Sequence, residues 1–67
     1  MTEFGKKLKE LREEKGLFQS QFAKDFNVSQ TTVSSWETNC REPDYTTLVK
    51  LAKYFGVTTD YLLGLED

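Results

Sequence analysis

Residues 19 to 38 read QSQFAKDFNVSQTTVSSWET, and this stretch decides the fold. Its second part, Asn27 to Thr38, is almost uncharged in a chain whose residues are 30% charged, because Glu37 carries its only formal charge. Short hydrogen-bonding side chains are otherwise interleaved with Val28, Val33 and Trp36. As a β-strand the segment would split its apolar residues between two faces, since Val33 lies an odd number of residues from both Val28 and Trp36. A helix keeps Val33 and Trp36 on one side, with Ser29 as its N-cap and Gln30, Thr31, Ser34 and Ser35 turned away from the apolar face. Ser and Thr are mediocre helix formers, so something other than helix stability selects them for the outer face.

The first part of the stretch, Gln19 to Phe26, carries Phe22, Ala23 and Phe26 at helical spacing. Ala23 is small enough for a close helix crossing, and Asn27 enters the left-handed turn conformation more cheaply than a branched residue. Two short helices joined by such a turn predict a helix-turn-helix over about residues 19–38. The same kind of stop signal recurs along the chain at Gly16, Asn27, Asn39, Gly56 and Gly64, which predicts five helices. The first runs from about Glu3 to Lys15 with Phe4, Leu8 and Leu11 in one stripe, and its charged residues, Glu10, Glu13 and Glu14 among them, lie on a solvated face. A fourth runs from about Tyr45 to Phe55 behind the N-cap Asp44, burying Leu48, Leu51, Ala52 and Phe55. Thr58 caps a short last helix carrying Leu62 and Leu63. The expected fold class is all-α, a single five-helix domain over residues 1–67.

Composition bounds the chemistry. Sixty-seven residues support one core, 37% of them hydrophobic and 13% aromatic, a mix that fits a small globular fold. There is no histidine, which excludes Ser/His/Asp and Cys/His catalysis and histidine metal sites, so neither an enzyme nor a metal site is expected. The single cysteine, Cys40, can form neither an internal disulfide nor a zinc cluster, which points to a reducing compartment. No apolar run is long enough for a membrane span and the amino terminus has no signal-peptide pattern, so the expected location is cytoplasmic. The formal net charge of −2 argues mildly against a nucleic-acid partner. Most of that acidity falls after residue 43, however, and leaves residues 27 to 43 nearly neutral.

Four segments carry a resemblance: LKELREEKGL at 8–17, QSQFAKDFNVSQTTVSSWE at 19–37, Pro43, and LAKYFGVTTDYLLG at 51–64. Together they resemble the phage-repressor and Cro-like DNA-binding domains of the xenobiotic-response-element type, over nearly the whole chain. The resemblance implies a compact lambda-repressor-like domain whose third helix enters the major groove of double-stranded DNA while the second lies across the backbone. On that reading the base-reading candidates are Gln30, Thr31, Ser34 and Ser35. Gln bonds bidentately to adenine, and Ser or Thr to several bases. Gln30 leads, standing at the deeply inserted end of the helix, whereas Thr32 is equally well read as a surface residue.

The resemblance further implies that Gln19 bonds a backbone phosphate at the positive end of the second helix. Arg41 is the cationic partner in the following loop, and Lys24 and Lys6 are additional contacts that read equally well as solvated charge. Cys40 and Glu42 stand where relatives often carry basic residues, so phosphate anchoring should be modest. Glu37 is expected to pair with Arg12 as a structural tie, and Trp36 to lie in the core. A redox role for Cys40 lacks a neighbouring His, Lys or second thiol. Phe18 occupies the N-cap position of the second helix, where relatives place Ser or Thr, leaving Gln21 to supply half a capping box.

The function implied is a sequence-specific transcriptional regulator, a repressor acting as a homodimer on a palindromic operator, without cofactor. Val57, Tyr61, Leu62 and Leu65 form the expected dimer surface. Two other readings stay open: a partner-docking or antirepressor module on the same fold, which the acidic balance favours, and the amino-terminal reader of a longer regulator.

Overall fold

Five helices follow one another in the computed structural model, which describes residues 3–66. They are α1 (Phe4–Glu14), α2 (Gln19–Phe26), α3 (Gln30–Glu37), α4 (Tyr45–Phe55) and α5 (Thr59–Leu62). Three of their starts are set by side-chain caps. The Ser29 Oγ accepts from the Thr32 backbone N–H, Asp44 from Thr47 and the Thr58 hydroxyl from Tyr61. At α2 the cap side chain is Phe18, which has no acceptor, and only the return half of the box forms: the Phe18 N–H donates to Gln21 Oε1 at 2.8 Å.

All five helices end alike. Among the described residues those with positive φ are Gly16, Asn27, Asn39, Gly56 and Gly64, the same five that the sequence marks as stops. In each case the amide one residue later returns to a carbonyl five residues earlier, as from Leu17 to Arg12, Val28 to Ala23, Cys40 to Ser35, Val57 to Ala52 and Leu65 to Asp60. This is the Schellman ending, and it satisfies carbonyls that would otherwise lack partners.

The buried core is Phe4, Leu8, Leu11, Phe22, Ala23, Val33, Trp36, Leu51, Ala52 and Leu62. α3 packs against both α1 and α2, and α5 closes against α1 and α4. At the centre the fully buried Phe22 ring stacks on Phe26 at 5.5 Å between centroids and meets Tyr54 and Phe55 at 5.3 Å each. Trp36 meets the edge of Phe26 at 6.3 Å, so α3 is seated on the aromatic core by the face opposite its polar residues.

α1 crosses α3 closely because Gly5 has no side chain: a Cβ there would stand 2.5 Å from the Glu37 carbonyl oxygen and 2.7 Å from that of Trp36. Beside this crossing the Gly5 N–H donates to Asn39 Oδ1 at 3.1 Å. Leu62 corrects one expectation. Placed by the sequence on a dimer surface, it is completely buried, because α5 is a single turn whose one inward position must fill the gap between α1 and α4.

Candidate nucleic-acid interface

The polar side chains of α3 divide into two sets. Ser29, Thr32 and Thr38 are spent on the helix itself. Ser29 Oγ and Thr32 Oγ1 lie 2.8 Å apart at its start, and Thr38 Oγ1 donates back to the Ser34 carbonyl at 3.0 Å at its end. Gln30, Thr31, Ser34 and Ser35 form no side-chain hydrogen bond with any other described residue. These four line one open groove together with Gln19, Thr38 and Cys40. Gln30 and Thr31 are exposed at the start of the helix, and Ser34 and Ser35 are half-buried one turn further on. The groove carries neutral donors and acceptors along its length and no formal charge.

Behind the groove lies a buried tie. Arg12 grips Glu37 with two prongs, Nε to Oε2 at 2.6 Å and Nη2 to Oε1 at 3.1 Å, while its Nη1 donates to the Leu17 carbonyl at 2.6 Å. The two side chains are 8% and 3% exposed, so this is an interior ion pair with its hydrogen bonds satisfied. The bond to Glu37 holds the Arg12 guanidinium above its ordinary pKa against the opposing effect of burial. Gln19 joins the pair, its Nε2 donating to Glu37 Oε1 at 3.0 Å. One side chain from each of α1, α2 and α3 therefore meets at the end of α3. Gln19 belongs both to this network and to the groove, and its Nε2 has a second proton to donate.

The other expected contacts are not gathered in the same way. Arg41 is exposed, beside the groove residue Cys40, with its backbone N–H returned to the Ser35 carbonyl at 3.2 Å. Lys24 lies apart, lining a separate depression with Leu17, Gln21 and Asp25. Of the expected dimer residues other than Leu62, Val57 and Tyr61 are half-buried against the core and Leu65 is 72% exposed. Lys7 Nζ sits 4.8 Å above the Tyr61 ring. Sequence reasoning did not assign Thr38 to the groove. Its position one turn beyond Ser34 and Ser35 is the signal that could have placed it there.

A helix seated by Val33 and Trp36, capped at Ser29 and presenting a row of free polar side chains beyond a left-handed turn defines a helix-turn-helix domain. The helix-turn-helix family model matches residues 8–62, and the chain belongs to that family. It is 41% identical over 63 residues to the HTH-type transcriptional regulator ImmR of Bacillus subtilis, covering 94% of this chain and 50% of that protein. It is 42% identical over 65 residues to the HTH-type transcriptional activator BcrR of Enterococcus faecalis, covering 97% of this chain and 32% of that protein. The chain thus spans half or less of the length of these two relatives.

Among solved structures, a transcriptional regulator from Listeria innocua superposes with a TM-score of 0.87 at 33% identity, over 100% of this chain and 63% of that one. The P22 c2 repressor, solved in complex with a synthetic operator, superposes with a TM-score of 0.86 at 27% identity, over 98% and 100%. No helix among the described residues is long and apolar enough to cross a membrane.

Proposed function

We propose that this chain is a cytoplasmic, sequence-specific DNA-binding domain of a transcriptional repressor, and that it lays α3 in the major groove of its operator. The observation that carries this reading is the division of labour on α3: the four outward side chains with no hydrogen-bond partner among the described residues all face one groove. Gln30 reads an adenine edge, Thr31, Ser34 and Ser35 contact neighbouring bases, and Gln19 and Arg41 hold phosphates on either side. Lys24, outside the groove, adds at most a peripheral phosphate contact.

The domain measures 27 Å along its longest axis, less than the about 34 Å that separates successive half-sites on one face of the duplex. One copy therefore covers one half-site, and a palindromic operator calls for two. Leu65, with the exposed parts of Val57 and Tyr61, is the surface proposed to join them. The P22 c2 repressor's capture on an operator supports the docking mode.

In-vitro selection of bound duplexes, followed by Gln30→Ala and Arg41→Ala on the selected site, tests the proposal. Gln30→Ala should relax preference at one base pair, and Arg41→Ala should weaken all sequences alike and flatten the salt dependence. Equal loss on every sequence for Gln30→Ala would remove it as a reader. The charge-free groove favours a second reading, in which the same face docks a protein partner. Absence of any salt-sensitive binding to duplex DNA at low ionic strength would select that reading instead.

A further inference from the structure

Where α3 ends, the chain is held at two points. Asn39 stands in the left-handed conformation at φ 60°, and the amides of Cys40 and Arg41 both return to the Ser35 carbonyl, at 2.9 and 3.2 Å. The second hold is across the fold. The N-cap of α1 is Glu3, whose side chain makes no cap bond, and the amide of Gly5 in the first turn finds its acceptor in Asn39 Oδ1, 34 residues away. Next to that bond the missing Cβ of Gly5 lets the carbonyls of Trp36 and Glu37 approach α1. Glycine or asparagine would serve the left-handed turn equally well, but only asparagine supplies this acceptor.

We propose that Asn39 is a positioning residue for DNA binding: by capping α1 from the end of α3 it fixes the direction of the Cys40–Arg41 segment and thereby sets the Arg41 cation at the edge of the reading groove. The inference rests on the assignment of Arg41 to a phosphate. Arg41 is exposed and its two neighbours are Cys40 and Glu42, so one cation in the loop carries the electrostatic anchoring and its placement matters more than it would in a lysine-rich loop. A free loop would spread that charge over many orientations, and the entropy of ordering it would fall on the complex.

Asn39→Gly tests this, because glycine keeps the left-handed backbone and removes only the side-chain bond. On the selected operator, Arg41→Ala should flatten the plot of log affinity against log salt by about 0.9, the value of one phosphate contact. Asn39→Gly should lose affinity several-fold, flatten the same plot by a large part of that amount, and leave base preference unchanged. The double variant should bind no more weakly than Arg41→Ala alone. Circular dichroism and the melting midpoint of each variant confirm that the fold is retained.

If Asn39→Gly lowers the midpoint but keeps the wild-type salt slope, or if its effect adds fully to that of Arg41→Ala, Asn39 is only a structural cap and the proposal fails. An unchanged slope for Arg41→Ala, on a wild-type domain that binds its operator, also overturns it. A wild-type domain without salt-sensitive DNA binding overturns the DNA-reading function itself, a result distinguishable from the other two.

Discussion

Gly5 and Glu37 touch backbone to backbone: a Cβ on Gly5 would be 2.5 Å from the Glu37 carbonyl oxygen. The crossing of α1 over α3 is thus set where one added carbon has no room. Gly5→Ala gains up to about 1 kcal/mol of helix propensity. It also forces α1 away from α3, and overpacking of this kind costs about 1 to 3 kcal/mol. The contacts are to backbone rather than to a flexible side chain, so the loss should exceed the gain. Urea denaturation should show a net destabilisation of the order of 1 to 2 kcal/mol, and a variant as stable as wild type would show that the crossing relaxes freely.

The Arg12–Glu37 pair makes a second, separable prediction. Removing one partner leaves a buried charge, so Arg12→Met and Glu37→Leu should each destabilise by about 3 kcal/mol. The double variant should lose much less than the sum, because neither charge is then stranded. Strict additivity in the denaturation midpoints would mean that the two groups contribute independently.

At the start of α2, Phe18 is 73% exposed and already has the extended backbone of a cap residue, φ −73° and ψ 161°. Phe18→Ser would complete the capping box with Gln21 while giving up little burial. The expected gain is about 1 kcal/mol, or roughly 4 to 8 °C in the melting midpoint of a domain this small. A lowered midpoint would show that the phenyl ring contributes more by packing than a hydroxyl does by capping.

Tyr54 should govern the alkaline limit. Burial, reinforced by the bond its hydroxyl donates to Asp25, pushes its pKa from 10.0 up to about 12, and Lys15 Nζ lies 5.1 Å from the ring centroid. The unfolded chain releases this proton first, so the associated stability is complete below pH 10 and is lost as pH rises towards 12. Tyr54→Phe should remove that part of the alkaline decline in the denaturation midpoint. Superimposable wild-type and variant curves between those limits would contradict it.

Asp44 acts at the opposite limit. Hydrogen bonds from Thr47, side chain first and backbone second, hold its carboxyl below the ordinary 3.8. Its contribution is therefore present above that pH and lost as pH falls through the lowered value. Asparagine caps equally well without titrating, so Asp44→Asn should match wild type near neutrality and decline less below pH 4. Parallel acid declines for the two proteins would assign the loss to other groups.

Local chemistry made most of the architecture legible. Gly and Asn at the five reversals are the residues that tolerate positive φ, and Ser29, Asp44 and Thr58 are good caps, so the helix ends follow from their immediate neighbours. The groove residues were legible for a related reason: polar side chains too poor as helix formers to be there for the helix. What escaped was set across the fold. Nothing near Gly5 signals that residues 36 and 37 will lie against it, and nothing near Asn39 signals that its amide will cap a helix 34 residues away. Leu62 was misplaced because one turn of helix has no periodicity to separate a side chain buried in its own domain from one reserved for a partner.

The separation of the α3 side chains into those spent on the helix and those left free has an evolutionary consequence. Ser29, Thr32, Val33, Trp36 and Glu37 hold α3 in place, while the side chains of Gln30, Thr31, Ser34 and Ser35 form no hydrogen bond with any other described residue. Changes at the exposed Gln30 and Thr31 should cost little stability, about 0.5 kcal/mol as is usual for surface substitutions, and the half-buried Ser34 and Ser35 should accept other small polar residues at a similar cost. On the proposed function, a duplicated copy drifts to a new operator through a few viable single steps without first becoming unstable.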